Sequence, residues 1–120
     1  MKAEERKKHP MYSGLLKYFP DALMAVSNCS LVANEQHNPG EELYWNRAKS
    51  GDELDALMRH LLDAGTVDND GIRHSTKVAW RALANLQKEL EKNSDKEISA
   101  LREAFKERKV WSPFKEDSDE

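Results

Sequence analysis

The segment from Ser50 to Gly65 constrains the fold most strongly, because both ends of a helix can be recognised in it. Ser50 and Glu53 have the spacing of a capping box, in which two residues satisfy free groups at a helix N-terminus. Gly65 stands where helices commonly end, since glycine adopts the left-handed conformation at little steric cost. Between these ends, apolar side chains recur every three to four residues, at Leu54, Leu57, Met58, Leu61 and Leu62. This period predicts an amphipathic helix.

Charged side chains lie along the edge of that apolar face. At about 100° per residue, Asp55 and Arg59 fall on its shoulder, and Asp52 lies just beyond them. The two carboxylates are therefore one turn apart, where a cation or a phosphate group could be held. An ordinary explanation is also open. Acidic residues are favoured near a helix N-terminus, and Asp55 with Arg59 has the i, i+4 spacing of a surface ion pair.

The composition is that of a single soluble domain. The 120 residues suffice for one core, and shares of 38% hydrophobic and 34% charged residues suit a helix-rich protein. A formal net charge of −3 argues against general binding to nucleic-acid polymers or membrane surfaces. Cys29 is the only cysteine, no apolar run approaches the ~20 residues of a membrane span, and the first residues lack a signal-peptide core. We therefore expect a cytoplasmic protein.

Local signals also mark a helix before this segment. Pro20 suits the first helical position, and the helix is predicted to run to about His37, before the breaker Asn38-Pro39-Gly40. Because an unpaired buried polar group costs ~1–3 kcal/mol, polar residues on its core-facing row must belong to a structural network or to a site. They are Ser27, Ser30, Asn34 and His37.

The segments after residue 65 complete an all-α chain. A helix is predicted over about residues 71–92, with Asp70 as its N-cap. Ser94 and Glu97 form a second capping box, which would open a helix that ends near Arg108. The predicted fold class is therefore all-α, a helical bundle of about four helices.

The predicted domain organisation has two parts. Residues 1–92 form the core, of which 1–10 are expected to be flexible, and residues 93–120 form a C-terminal helix and a charged tail. The apolar residues 11–19 are expected to pack across the domain as an extended or single-turn segment. The last helix has a thin apolar stripe, which suits packing against another subunit.

Two polar pairs with i, i+3 spacing lie on successive predicted helices. Glu35 pairs with Asn38 on the first helix, and Asp52 pairs with Asp55 on the second. If these helices are antiparallel, the pairs can face each other across a groove. Hard cations such as Mg²⁺ prefer oxygen ligands, and two such ions can hold both oxygens of a phosphoryl displacement. The pairs therefore predict a divalent metal site.

A basic flank accompanies the 71–92 helix. Arg73, Lys77 and Arg81 lie along it, and it is either a solvated surface or a strip that binds phosphate. The preceding residues 66–71 are rich in turn formers and mimic part of a calcium loop. They lack the terminal glutamate of an EF-hand, which is therefore not expected.

The acidic pairs and several longer stretches resemble a known family. Glu35-Gln36-His37-Asn38 and Asp52-Glu53-Leu54-Asp55 resemble the signature Glu-x-x-Glu and Glu-x-x-Asp of the MazG-like all-α nucleoside triphosphate pyrophosphohydrolases. Asn38 replaces a carboxylate of that signature, and Asp52 replaces a longer one. Within the superfamily, the chain most resembles the dATP/dGTP diphosphohydrolases of bacteriophages, in residues 16–23, 34–40, 59–61 and 70–83. The resemblance covers roughly residues 11–91.

This resemblance implies metal-dependent hydrolysis of a purine deoxynucleoside triphosphate to the monophosphate and pyrophosphate. The expected substrate is dGTP, with dATP and GTP as alternatives, in purine pool remodelling as in phages that use diaminopurine in DNA. It also implies a homo-oligomer, a dimer or tetramer. The implied catalytic residues are Glu35, Asp52 and Asp55, which together with Asn38 would hold Mg²⁺ or Mn²⁺. The implied substrate-binding residues are Asn34, His37, Arg59, Arg73 and Lys77.

A different class of function is also open. In a non-catalytic helical binding or assembly module, helix capping and ion pairs would account for every acidic residue named above. Pyrophosphate release from a panel of deoxynucleotides, with and without Mg²⁺ or Mn²⁺, discriminates between the two classes. The sequence contains no evident base-reading motif, so the preferred base follows from the resemblance alone.

Overall fold

The computed structural model describes the backbone of residues 2–104 and the side chains of residues 2–93. Within these residues, the only β-type pairing is an isolated antiparallel bridge between Val67 and Arg73. The predicted all-α class is therefore confirmed. A π-helical turn (Tyr12–Leu16) and a 3₁₀ turn (Arg47–Lys49) accompany four α-helices. The helices are α1 (Ala3–Lys7), α2 (Pro20–His37), α3 (Glu53–Leu62) and α4 (His74–Ala104).

The chain divides into two units, and the division lies inside α4. The first unit is Met1–Asn85 and the second is Leu86–Glu120. The predicted boundary between residues 92 and 93 stays a prediction. The short helix α1 lies within the range 1–10 for which the sequence predicted flexibility. Every site residue described below belongs to the first unit.

Helix α2 has the bounds that its local signals predict. Pro20 occupies its first position, where the missing N–H removes no helical hydrogen bond. At the other end, the Asn38 N–H still donates to the Asn34 carbonyl at 2.7 Å. Asn38 itself has left the helical conformation, as expected for a residue before proline, and Gly40 follows with a φ of 81°. Start and stop signals therefore placed this helix correctly.

Helix α3 begins later than the sequence predicted. Its first residue is Glu53, and Asp52 is the N-cap residue without a side-chain cap hydrogen bond. The Ser50 hydroxyl donates to the Glu53 carboxylate, so this pair joins two side chains rather than capping the helix. Gly51 separates Ser50 from the helix, and glycine is costly to fix in a helical conformation. The predicted N-cap, Ser50, is therefore wrong by two residues, because Asp52 holds that position.

A tight turn over residues 63–73, the α3–α4 turn, returns the chain to the start of α4. Gly65 and Gly71 have φ values of 93° and 83°, a conformation that side chains with a Cβ avoid. The Asp68 N–H donates to the Ile72 carbonyl at 2.8 Å. Asp70 accepts the Ile72 N–H at 3.0 Å, so it caps this turn. The prediction that Asp70 is the N-cap of the next helix is wrong, because that helix begins at His74.

Helix α4 runs without interruption from His74 to Ala104. The prediction of a separate helix opening at Ser94 is therefore wrong. No glycine or proline occurs between His74 and Ala104, and residues such as Glu, Lys, Leu and Ala favour continuation. Without a breaker before it, a Ser-x-x-Glu spacing is compatible with a helix interior. The predicted end near Arg108 lies outside the described residues.

The buried core of the described part is small. Its apolar members are Cys29, Ala56, Ile72 and Ala84, and no large side chain there is fully buried. Burial raises the pKa of the Cys29 thiol, which favours its neutral form. Buried polar residues accompany them: Asn34, Glu53 and Thr76. Polar side chains are therefore a large part of what the fold encloses.

Many large apolar side chains are exposed in the single chain. On α2 and α3, Met24 is 72% exposed and Leu62 is 83% exposed. The segment at residues 11–19 was expected to pack across the domain, but its aromatic side chains are exposed too, with Tyr18 at 69%. In the single chain, the expectation that this segment packs across the domain is therefore wrong. No helix within the described residues is long and apolar enough to cross a bilayer.

Candidate functional site

A cleft of about 720 Å³ opens in the first unit. Side chains from α2, the 38–52 connection, α3, the α3–α4 turn and α4 line it. This volume lies in the range of small-molecule sites, which combine apolar walls with a few polar groups. The lining includes three aromatic residues, Tyr44, Trp45 and Trp80. It also includes three cationic and two acidic residues: Lys49, Lys77, Arg81, Asp52 and Asp70.

Two tryptophans form the aromatic wall of the cleft. The rings of Trp45 and Trp80 meet edge to face, with centroids 5.6 Å apart and an interplanar angle of 77°. The Trp80 indole N–H donates to the Ser30 hydroxyl at 2.8 Å, which fixes α4 against α2. The guanidinium of Arg47 lies 4.2 Å from the centroid of Trp45, a cation–π contact. The wall is therefore held in place by α2 as well as by its own rings.

Asn34 joins the connection after α2 to the body of that helix. Its side-chain nitrogen donates to the Glu41 carbonyl at 3.1 Å. Its side-chain oxygen accepts from the Asn38 side chain at 3.3 Å and from the Tyr44 N–H at 3.4 Å. Asn34 is buried, so these bonds satisfy polar atoms that water cannot reach. The sequence left two roles open for the polar row of α2, a structural network or a site. Asn34 belongs to a structural network.

Asp52 lies in the cleft between two guanidinium groups. Arg59 donates to one carboxylate oxygen at 3.1 Å, and Arg81 lies 3.7 Å from the other. The hydrogen bond from Arg59 lowers the pKa of Asp52, so this carboxyl is ionised at neutral pH. Arg59 therefore pairs with the residue seven positions before it. The expected i, i+4 partner, Asp55, does not take that role.

The structure does not bring the predicted metal ligands together. Glu35 and Asp55 are exposed and lie outside the lining of the cleft, whereas Asp52 and Asn38 line it. Among the described residues, Glu35, Asp52 and Asp55 form no group of ligand atoms around one point. The guanidinium groups beside Asp52 further disfavour a cation there. As arranged, these carboxylates do not fit a shared Mg²⁺ or Mn²⁺ ion, and the site that they define stays a prediction.

The predicted substrate-binding residues are likewise divided. Asn34, His37 and Lys77 line the cleft. Arg59 is outside its lining and contacts Asp52. Arg73 is exposed on the α3–α4 turn, where it forms the isolated bridge. Lys77, the cation of this set that lines the cleft, is already paired with two carboxylates.

A second group of polar side chains gathers at the α3–α4 turn. The Nδ1 atoms of His60 and His74 are 2.9 Å apart, a distance at which one ring can donate a hydrogen bond to the other. The His74 Nε2 atom lies 3.9 Å from Asp68 Oδ1. Lys77 Nζ donates to Asp68 at 2.7 Å and to Asp70 at 2.8 Å. Two imidazoles, two carboxylates and one ammonium group therefore meet at a single turn.

These contacts change the acidities of the group. The hydrogen bond from Lys77 lowers the pKa of Asp68 and lowers that of Asp70 to about 2. Burial disfavours the charged form of Lys77, but its bonds to the two carboxylates outweigh this and raise its pKa. Burial, followed by the charges of Lys77 and His74, lowers the pKa of His60. The neutral form of His60 and the ionised forms of Asp68 and Asp70 are therefore favoured near pH 7.

The sequence interpretation did not identify this group. His60, Asp68 and His74 are nevertheless the one set of at least three His, Cys, Asp or Glu residues in the described part that could hold a metal ion. One ligand atom from each lies within 4.8 Å of the others. The available signal was two histidines on either side of a turn bounded by glycines. Helical periodicity does not reveal this group, because the turn brings His60 and His74 together.

No protein-family model, curated protein or solved structure matches this chain. The function must therefore be argued from the cleft, the turn and the resemblance of individual motifs.

Proposed function

We propose that the cleft binds a purine deoxynucleoside triphosphate, with dGTP as the preferred substrate, and hydrolyses it to the monophosphate and pyrophosphate. The observation that carries this proposal is the combination of an aromatic wall and three cationic side chains in one cleft of about 720 Å³. A nucleotide needs both features, a flat surface for its base and positive charge for its phosphates. The choice of a purine base and of the bond that is broken rests on the resemblance to the phage dATP/dGTP diphosphohydrolases.

Arg81 and Lys49 are suited to receive the phosphates. Arg81 Nη1 is 3.7 Å from Asp52, longer than a strong hydrogen bond, so an entering phosphate can compete for its guanidinium. Guanidinium groups bind phosphate through two parallel N–H donors, which fixes the orientation of the phosphate as well as its charge. Lys49 is exposed on the lining and adds a second positive charge. Lys77 supports them only indirectly, since two carboxylates hold it.

Tyr44 is suited to receive the base. Its side chain lines the cleft and is 68% exposed, whereas the Trp45 ring is already covered by Arg47. Stacking of a base on an aromatic ring contributes ~1–3 kcal/mol and tolerates different bases. A purine offers a larger ring face than a pyrimidine. Binding by Tyr44 alone would therefore favour purines without choosing between guanine and adenine.

The proposed chemistry is attack of water on the α-phosphorus, with pyrophosphate as the leaving group. Charge develops on the phosphate oxygens, and fixed cations that are close to them lower the barrier. Arg81 and Lys49 would supply this stabilisation from the protein. The resemblance further implies Mg²⁺ or Mn²⁺, which would neutralise phosphate charge. Assembly into a homo-oligomer belongs to the same proposal, and the exposed apolar side chains of α2 and α3 support it.

Product analysis tests the proposed reaction. The protein is incubated with each deoxynucleoside triphosphate and with GTP, in chelator, Mg²⁺ or Mn²⁺, and the products are separated by anion-exchange chromatography. We expect dGMP and pyrophosphate in equal amounts, formed only with a metal ion present. Formation of dGDP and orthophosphate would show that a different bond is broken. Absence of turnover with every nucleotide and both metals would refute the proposed activity.

A second candidate is a non-catalytic helical assembly module. The observation that favours it is the large exposed apolar surface of single-chain α2 and α3, which includes Met24, Leu54 and Leu62. Light scattering after size-exclusion chromatography measures the assembly, and the product analysis above measures catalysis. A stable oligomer without pyrophosphate release would favour the module, whereas an oligomer with release agrees with the proposed enzyme.

A further inference from the structure

We propose that His60, Asp68 and His74 form a binding site for a first-row transition-metal ion, of the class of Zn²⁺ and Co²⁺, at the α3–α4 turn. This site differs from the carboxylate set of α2 and α3 in its residues and in its ligand chemistry. It goes beyond the proposed function, because it stands whether or not the cleft hydrolyses a nucleotide.

The three ligands already lie close together. One ligand atom from each residue is within 4.8 Å of the other two, and the two Nδ1 atoms are 2.9 Å apart. Around a tetrahedral ion at about 2.0–2.1 Å from each donor, neighbouring ligand atoms lie about 3.3 Å apart. His74 faces His60 with Nδ1 and Asp68 with Nε2, so its ring must turn to present one nitrogen to the ion. The imidazoles must also separate slightly, and the Asp68 carboxylate must move inward.

The backbone of the turn holds the ligands in place. His60 lies in the last turn of α3 and His74 is the first residue of α4. The His74 N–H donates to the Thr66 carbonyl at 3.0 Å, which closes the turn between the two histidines. Buried Ile72 anchors the same turn through its bond to Asp68. A site fixed in advance loses less conformational freedom when an ion binds.

The local charge favours a cation. Asp68 and Asp70 carry two negative charges, whereas Lys77 carries one positive charge, so these three side chains have a net charge of about −1. Lys77 contacts Oδ2 of Asp68, while Oδ1 is the atom nearer His74. The ammonium group thus orients the carboxylate from outside, as hydrogen-bonded neighbours of metal ligands commonly do. Its own charge opposes an ion, and Asp70 offsets that charge.

The donor types identify the class of ion. Two imidazole nitrogens and one carboxylate oxygen suit borderline ions such as Zn²⁺ and Co²⁺, whereas Mg²⁺ prefers oxygen donors alone. Three protein ligands also leave a coordination position for water or an anion. His60, Asp70 and Lys77 line the cleft, so an ion held here would lie at its edge. The alternative to a metal site is a simple hydrogen bond between the two histidines. That bond would explain their contact, but it would not require the Asp68 carboxylate beside them.

Binding of Co²⁺ alone tests the site, without any nucleotide. The full chain is stripped with chelator and titrated with Co²⁺ while its visible absorption is recorded. We expect one ion per chain, and no displacement by excess Mg²⁺. His60→Gln and His74→Gln should each weaken binding at least about tenfold. His9→Gln is the matched control, because His9 is exposed and its ring contacts the Glu5 carbonyl, away from the proposed ligands; the affinity of this variant should equal that of the parent.

Failure of this test is distinguishable from failure of the proposed hydrolysis. Lack of stoichiometric Co²⁺ binding, equal affinity for Mg²⁺, or parental affinity in both glutamine variants would overturn the site. Histidine-ring NMR of the parent with Zn²⁺ provides a measurement that does not depend on the folding of a variant. The ring signals of His60 and His74 should shift together while those of His9 stay constant. Unshifted signals from His60 and His74 would likewise overturn the site.

Discussion

Beside the α3–α4 turn, Lys77 contacts two carboxylates, and the Nδ1 atoms of two histidines are 2.9 Å apart. On the helix faces that the sequence selected, Glu35 and Asp55 are exposed and lie outside the cleft. The difference comes from backbone geometry. A regular helix spaces its side chains along one face, whereas a closed turn brings residues that are distant in sequence to one point. Helical periodicity therefore identifies candidate ligands without showing that they meet.

The largest expected effect tests the helix faces. The family resemblance predicts that Asp55→Asn loses a charge needed for catalysis, although Asp55 lies outside the cleft of the single chain. A hundredfold loss in rate corresponds to ~2.7 kcal/mol. The resemblance therefore predicts a folded variant with an unchanged melting temperature in chelator and pyrophosphate release of no more than a few per cent of the parent's. Asp63→Asn, which alters another exposed acid near the end of α3, is the control. Near-parental turnover of Asp55→Asn would assign Asp55 to the helix surface.

Asn34→Ala tests the polar network at the end of α2. The substitution removes the buried amide that bonds the Glu41 carbonyl and the Tyr44 N–H, and a typical hydrogen bond contributes ~0.5–1.5 kcal/mol. Urea unfolding should show a loss of this size. Asn28→Ala, at an exposed position of the same helix, should change the free energy of unfolding by less than ~0.5 kcal/mol. Equal small losses would show that Asn34 does not organise the connection.

Lys77→Met tests the role of the ammonium group beside the α3–α4 turn. Loss of the ammonium group leaves Asp68 and Asp70 to repel each other, so the free energy of unfolding in chelator should fall by about 1–2 kcal/mol. The same change removes the cation that competes with a metal ion, so the affinity for Co²⁺ should rise. Lys8→Met, at an exposed lysine outside the cleft, should alter neither quantity. A fall in Co²⁺ affinity would show that Lys77 supports the site more than it opposes it.

The smallest expected effect compares two glycines. Gly71 has a φ of 83° in the α3–α4 turn, so Gly71→Ala should destabilise the fold by about 1 kcal/mol, although nothing crowds the new methyl group. Gly51→Ala also meets open space and lacks the positive φ, so it should be neutral or stabilising by up to ~1 kcal/mol. Thermal unfolding of both variants measures the difference. Equal melting temperatures would mean that the turn does not require its left-handed residue.

Local signals explain which elements could be predicted. Pro20 and the Asn38-Pro39-Gly40 breaker act within their own neighbourhood, and α2 has the predicted bounds. The Ser94–Glu97 spacing led to a wrong prediction, because the spacing of a capping box does not by itself end the preceding helix. His60 and His74 were missed for the opposite reason. Fourteen positions separate them, and only the closed turn brings their rings together. A single sequence contains the parts of such a turn but not its final geometry.

We propose that the cleft of the first unit binds a nucleotide. NMR titration of the indole N–H signals tests this binding without catalysis, with the α,β-methylene analogue of dGTP, which resists cleavage between these phosphates. Binding should cause saturable shifts of the Trp45 and Trp80 signals, and Arg81→Ala should bind the analogue more weakly. Lys8→Ala should retain the parental affinity. Indole signals that stay unchanged at saturating analogue concentration would show that the cleft does not bind the nucleotide.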